Sequence, residues 1–373
     1  MSNRDRNNQL DVMKGILITL VVIGHAQGPV HRAIYLFHMA VFFLISGYLW
    51  NDKYAYNIIE FKKMLVKKVK SLYIPFVVCN LSFLILLIMF PIIYPENARF
   101  QEYSFESIVG AIIKVLCFRG RVTLSDSTWF LMVLFFDSII FSIIYGIINK
   151  ITHIEKRKHI ILVGCLVFIL FVGKILNSLQ MNIYQIGTIC STIPIFGMGY
   201  LIKRYCQKLN EFINKYYVIV NLLSIFAIYV LLRIDLQEIR LIDNLYPNVG
   251  YFWCATLIGW FFILSLSKIC ERNIIINKGF LLLGRNSLDI LCLHMLAFKI
   301  VMCLQCIVYQ LDVKNISSYP VLDTKGEWWE LYTVIGIVIP IVFRYMYLKI
   351  KVVFGHCVKE IQEGKIGAES KSN

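Results

Sequence analysis

Four ionisable side chains, Asp11, Lys14, His25 and His38, lie inside the apolar sequence LDVMKGILITLVVIGHAQGPVHRAIYLFHMAVFFLISGYLW that covers residues 10–50. Histidine takes and gives a proton near neutral pH, so a buried imidazole suits general-base work on a hydroxyl. Lysine offers a compact positive charge, which suits an anionic group such as a phosphate. Lys14 and His25 are eleven residues apart, within about 20° of three full helical turns, and Asp11 is three residues from Lys14. One helix therefore carries all three on one face, with His25 about 16 Å along it from Lys14 at ~1.5 Å per residue. Taken singly, each has a plain explanation: Asp11 and Lys14 neutralise each other, Lys14 snorkels to the interface, and His25 packs between helices. Taken together they point to a polar cavity, because charged groups at membrane depth cost at least a few kcal/mol each.

Similar residues recur elsewhere. The stretch FLISGYL brings Ser46 and Gly47, small residues that let helices approach closely. Near the other end, LLLGRNSLDILCLHML places Arg285, Ser287, Asp289 and His294 in apolar sequence. Arg285 and Asp289 are four apart and are expected to neutralise each other. Ser287 and His294 are seven apart and share a face, so His294 could point into the same cavity as His25. The basic run KKMLVKKVK at 62–70 reads first as an anchor for anionic lipid.

The elements that would hold these residues are membrane helices. Of the 373 residues, 58% are hydrophobic, and the mean hydropathy is +0.68, which places the chain among polytopic membrane proteins. Apolar runs of lipid-crossing length predict ten spans, near 10–27, 33–50, 71–94, 128–149, 160–178, 183–202, 216–234, 249–267, 281–310 and 329–349. No small-x-small cleavage site follows the first, so it reads as retained rather than as a secretory signal. With the N-terminus inside, the loops on that side carry 24 Lys and Arg and the opposite loops 8, which orients both termini to the cytoplasm. The net charge of +15 is then topological and implies no nucleic-acid partner. Residues 1–350 read as one transmembrane domain and 351–373 as a cytoplasmic tail. The apolar run in FESIVGAIIKVLCF is too short to cross and reads as interfacial or re-entrant. Cys303 and Cys306 form a CxxC with no second ligand pair, so they read as core residues and no metal site is expected.

Five stretches in order, LDVMKGILITLVVIGH, FHMAVFFLISGYL, STWFLMVLF, IPIFGMGYLI and LLGRNSLDILCLH, resemble the acyltransferase-3 family of membrane acyltransferases. The resemblance covers nearly the whole chain and is nearest the stand-alone sugar O-acetyltransferases. It implies transfer of an acyl group, most often acetyl, from acyl-coenzyme A, a cosubstrate rather than a bound cofactor, to a hydroxyl of a cell-surface or lipid-linked glycan, in a bacterial inner membrane. It implies that His25 is the catalytic histidine and that Lys14, where relatives often have arginine, serves the donor together with Asp11. The lysine keeps the charge and gives up the planar fork that grips phosphate at two points. His38, Ser46, Trp129, Arg285, Ser287 and His294 are expected to position substrates or to stabilise an oxyanion. Two other classes use buried polar residues: a transporter or flippase for a lipid-linked sugar or small solute, and a sensor that kept the fold without the chemistry. Inverted repeats would favour the first and loss of His25 the second, and the sequence has neither.

Overall fold

A computed structural model describes residues 8–94, 105–234, 238–322 and 327–369, with side chains as far as residue 351. The expected tail at 351–373 therefore lies largely outside the described side chains. The described residues are helical, with no β-strand beyond an isolated bridge between Arg240 and Leu245. The helices are α1 (Asn8–His25), α2 (His31–Tyr35), α3 (His38–Tyr48), α4 (Ile58–Lys68), α5 (Ile74–Met89), α6 (Phe105–Leu116), α7 (Trp129–Ile151) and α8 (Glu155–Ser178). They continue with α9 (Ile186–Tyr205), α10 (Gln207–Lys215), α11 (Tyr217–Arg233), α12 (Val249–Glu271), α13 (Ile274–Arg285), α14 (Ser287–Val308) and α15 (Trp329–Glu369).

Seven helices are long and apolar enough to cross a membrane, or eight when the bent pair α10 and α11 counts as one. The chain is thus a multi-pass membrane protein, with fewer lipid-length helices than the ten expected. With that pair counted as one, the two expected spans that fall short are α1 and α3, which carry Asp11, Lys14, His25 and His38. α3 has 11 residues, about 16 Å at ~1.5 Å per residue, roughly half the hydrocarbon thickness. Most of α1 and almost all of α3 is buried by other helices. Protein surrounds them, so they carry polar residues that a lipid-facing helix would pay for. α8 and α15 face outward, with only 22% and 17% of their most apolar windows buried, against 78% for α9.

Glycines set the two tightest crossings. A Cβ on Gly15 would stand 2.0 Å from the carbonyl oxygen of Phe280, and one on Gly284 would stand 1.8 Å from that of Asp11, so α1 and α13 touch backbone to backbone. α3 and α9 meet the same way: a Cβ on Gly47 would lie 1.8 Å from the Phe196 carbonyl oxygen and one on Gly199 2.0 Å from that of Leu44. Hydroxyls inside the bundle bond back to their own helices, as Ser138 does to Leu134 O at 2.7 Å and Thr256 to Phe252 O at 2.8 Å. These two hydroxyl hydrogens are thereby kept from facing apolar neighbours.

α4 and α5 form one 32-residue run from Ile58 to Met89. A π-helical turn over Val69–Tyr73 interrupts it. Such turns re-aim side chains, and this one falls beside a cavity described below. The near face of the bundle is the one where α1 begins, and the far face holds the loops before α3, α7 and α9. The end of α6 is tied to the π turn, where the Tyr73 hydroxyl donates to Leu116 O at 2.9 Å. At 12 residues α6 is too short to cross, as its sequence suggests.

Candidate functional site

Two chambers adjoin near the start of α3. The near chamber has a volume of about 480 Å³, and the positive groups on its wall are Lys14, Lys67, Lys68 and Arg285. Its apolar lining includes Ile18, Phe42 and Leu134. The far chamber, about 290 Å³, is lined by His25, Tyr35, His38, Trp129, Arg240 and Tyr319 among others. Met39 lines both, so the two chambers adjoin there.

Two of the near chamber's cations, Lys14 and Arg285, share one anchor. Asp11, with its carboxylate 4% exposed, stands 3.6 Å from the Lys14 ammonium and 4.0 Å from Nε of Arg285. The pairing of Asp11 with Lys14 follows the sequence reading. Arg285 departs from it: the expected partner Asp289 instead faces Arg344 at 3.8 Å. The backbone contact at Gly284 brings Arg285 to α1, and α15 brings Arg344 to Asp289. Helical spacing alone cannot anticipate partners supplied by another helix. Asp11 is not among the residues that line the chamber and meets it through the two cations it pairs with.

Of the basic run, Lys67 and Lys68 reach the chamber, while Lys63 is engaged by Glu60 at 2.5 Å. Ser71 follows on the π turn and also lines the wall. Ser46 and Ser287 line the same chamber, but the Ser46 hydroxyl already donates to Phe42 O at 2.8 Å.

At the far end of α1 the imidazoles gather. The rings of His25 and His294 lie 5.3 Å apart, centroid to centroid, and the Tyr35 hydroxyl is 3.5 Å from His25 Nδ1. Tyr35 also packs edge-on against His38 at 5.1 Å. His294 Nδ1 is 2.9 Å from Ile290 O, and His38 Nδ1 is 2.7 Å from Ile34 O. A carbonyl oxygen only accepts, so in the neutral rings both Nδ1 atoms carry the proton and both Nε2 atoms keep a lone pair. Nε2 of His294 is buried and has no hydrogen-bond partner among the described residues. A base next to His25, with its tautomer fixed by the backbone, can accept a proton or hold His25 by a hydrogen bond.

Trp129 opens α7, and a polar knot behind it fixes its place. Asn80 Oδ1 accepts from Val122 N at 2.8 Å and from the Ser125 hydroxyl at 2.6 Å, and its amide donates to Thr128 Oγ1 at 3.1 Å. Ser127 ties the same segment to α14 through Leu291 O at 2.7 Å. Ionic pairs at this end include Arg240 with Asp243 and Arg121 with Asp126. A loop closes the chamber with Tyr319, whose burial pushes its phenol well above the ordinary range. Lys299 of α14 holds that loop, donating to Ile316 O at 2.9 Å and Ser318 O at 2.6 Å.

Lys14, Ser46, Arg285 and Ser287 are thus grouped in the near chamber, and His25, His38 and Trp129 in the far one. His294 stands beside His25, while Ser287, which shares its helix face by spacing, lines the near chamber. Met39, Tyr35 and Tyr319 were not anticipated: in sequence they are ordinary apolar and aromatic positions, and only the packing of separate helices gives them a role.

Residues 7–348 match a family model described as an acyltransferase domain. A 61-residue stretch is 48% identical to the nodulation protein NolL of Mesorhizobium japonicum, a match that covers 13% of this chain and 16% of that protein. No solved structure matches the chain.

Proposed function

The chain belongs to the acyltransferase-3 family, and on that premise we propose that it moves an acyl group, acetyl in the first instance, from cytoplasmic acyl-coenzyme A to a hydroxyl of a cell-surface or lipid-linked glycan. The observation that carries this reading is the meeting at Met39 of a cationic chamber and a chamber containing His25. The near face is taken as cytoplasmic because its loops hold the excess of Lys and Arg. An acyl-coenzyme A entering there meets Lys14, Lys67, Lys68 and Arg285 with its phosphates. Its thioester arm follows α1 past Ile18 toward Met39. The glycan enters from the other side, against Trp129 and Tyr319.

His25 takes the proton of the acceptor hydroxyl, and the oxygen attacks the thioester carbonyl carbon. The carbon–sulfur bond breaks, and the departing thiolate receives the proton from His25. In a two-step version a ring nitrogen of His25 takes the acyl group as the thiolate leaves, then passes it to the acceptor oxygen. In either version the lone pair on His294 Nε2 lies where it can orient His25 or hold its proton. Arg285 and Lys14 balance phosphate charge. Their role is electrostatic and weakened by solvent, since their side chains are 49% and 26% exposed. The family assignment favours acyl transfer over the transporter reading.

The test expresses His25→Ala beside the wild type and measures acyl esters on cellular glycans by mass spectrometry. Loss of the esters is expected; ester levels equal to wild type would sink the assignment.

A further inference from the structure

Next to the His25 chamber, on the other side of Trp129, lies a smaller cavity of about 110 Å³. Arg119, Arg121 and Gln185 provide its polar wall. Three of the seven non-glycine residues with positive φ among the described residues surround this one cavity: Phe118 (56°), Tyr184 (48°) and Gln185 (62°). Each such residue costs on the order of 1–3 kcal/mol, and strain of this kind collects where side chains are aimed at a ligand.

Here the strain aims specific groups. Tyr184 lies beneath the guanidinium of Arg119, 5.3 Å from its ring centroid, and holds that charge at the cavity mouth by a cation–π contact. Gln185 is nine-tenths buried, and its Oε1 finds no donor among the described residues. Arg121 bonds Asp126 through Nε, which leaves its terminal amino groups uncommitted. No carboxylate among the described residues pairs with Arg119, so two guanidinium groups face a single carboxylate.

We infer that this cavity, built by Arg119, Arg121 and Gln185 beside the shared wall of Trp129, binds an anionic group of the acceptor saccharide, a carboxylate or a phosphate ester. The inference rests on the transferase reading above and narrows its substrate class. Planar guanidinium forks match the two oxygens of either anion. The Gln185 oxygen needs a donor, which a hydroxyl next to the anionic group supplies. A neutral sugar satisfies Gln185 alone and leaves both arginines with water. A saccharide laid across the indole of Trp129 has its acid at Arg119 and Arg121 and another hydroxyl at His25.

The experiment expresses the full chain in membranes and locates the acyl ester on the extracted glycans by mass spectrometry, for the wild type, His25→Ala, Arg119→Gln, and Arg119→Gln with Arg121→Gln. The expected ester sits on a saccharide that carries an acid. Tandem fragmentation distinguishes a uronic-type carboxylate from a sugar phosphate or lipid-linked phosphate. Arg119→Gln lowers the ester yield about 10-fold and the double variant further, while Arg119→Lys keeps more than Arg119→Gln. Monodisperse elution of each purified variant separates these effects from misfolding. His25-dependent esters found only on neutral saccharides, or a well-folded double variant with wild-type yield, overturn the pocket and leave the transferase reading intact. Absence of any His25-dependent ester overturns both.

Discussion

His25 and His294 come from opposite ends of the chain, yet their imidazole planes are inclined by only 34° with centroids 5.3 Å apart. His294 keeps its accepting nitrogen toward the interior because Ile290 O takes its Nδ1 proton. If this lone pair supports His25, His294→Gln lowers kcat about 10²-fold, at the lower end of general acid–base contributions. Thiol release from acyl-coenzyme A by the purified protein measures it. A kcat within twofold of wild type would reduce His294 to a packing residue.

The near chamber predicts a charge-dependent donor affinity. Lys14→Met and Arg285→Gln should each raise the KM for acyl-coenzyme A by roughly 3- to 10-fold, about 0.7–1.4 kcal/mol, modest because both side chains are partly solvated. Raising the salt from 50 to 500 mM should weaken wild-type donor binding as well. A KM indifferent to both substitutions would remove the donor phosphates from this chamber. Asp11→Asn has a different expected signature: it leaves two neighbouring cations without their shared carboxylate, so it lowers the thermal midpoint as well as donor affinity.

At the crossing of α3 and α9 there is no room for a methyl group. Gly47→Ala and Gly199→Ala push a Cβ into a backbone carbonyl, which cannot rotate away as a side chain can. The expected cost is about 3 kcal/mol or more for each, above the usual range for overpacking. Thermal unfolding in detergent reports it, and a midpoint unchanged by Gly47→Ala would contradict the contact.

Lys299 should behave as a positioning residue. Lys299→Met leaves the carbonyls of Ile316 and Ser318 without their donor and releases the loop that carries Tyr319. Acceptor KM is expected to rise about 10-fold, acyl-coenzyme A hydrolysis without acceptor to persist, and Lys299→Arg to restore part of the loss. An equal fall in both activities would mean that the residue only supports folding.

Much of this was legible in the sequence where the reasoning was local. The placement of Lys14 and His25 along α1 follows from helical spacing, and the pairing of Asp11 with Lys14 from their separation by three. What was not legible depends on contacts between helices. Arg285 turned to Asp11 instead of Asp289 because glycines let α1 and α13 touch. The ten expected spans included α1 and α3, since hydropathy tells how apolar a segment is and not whether protein or lipid surrounds it. Met39 and Tyr319 gave no sign because their importance lies in what they border or close.

That Met39 belongs to both chambers has a practical consequence for chemistry. The chambers adjoin at this residue, and methionine side chains rearrange easily. A single molecule with a pantetheine-like arm joined to a sugar could displace that side chain and fill the two chambers at once. Its second half would bind at the effective concentration fixed by the linker, in the millimolar range for a short one, rather than from bulk solution. Such a tethered bisubstrate inhibitor would be expected to bind far more tightly than either half alone, and its optimum linker length would measure the gap between the donor and acceptor sites.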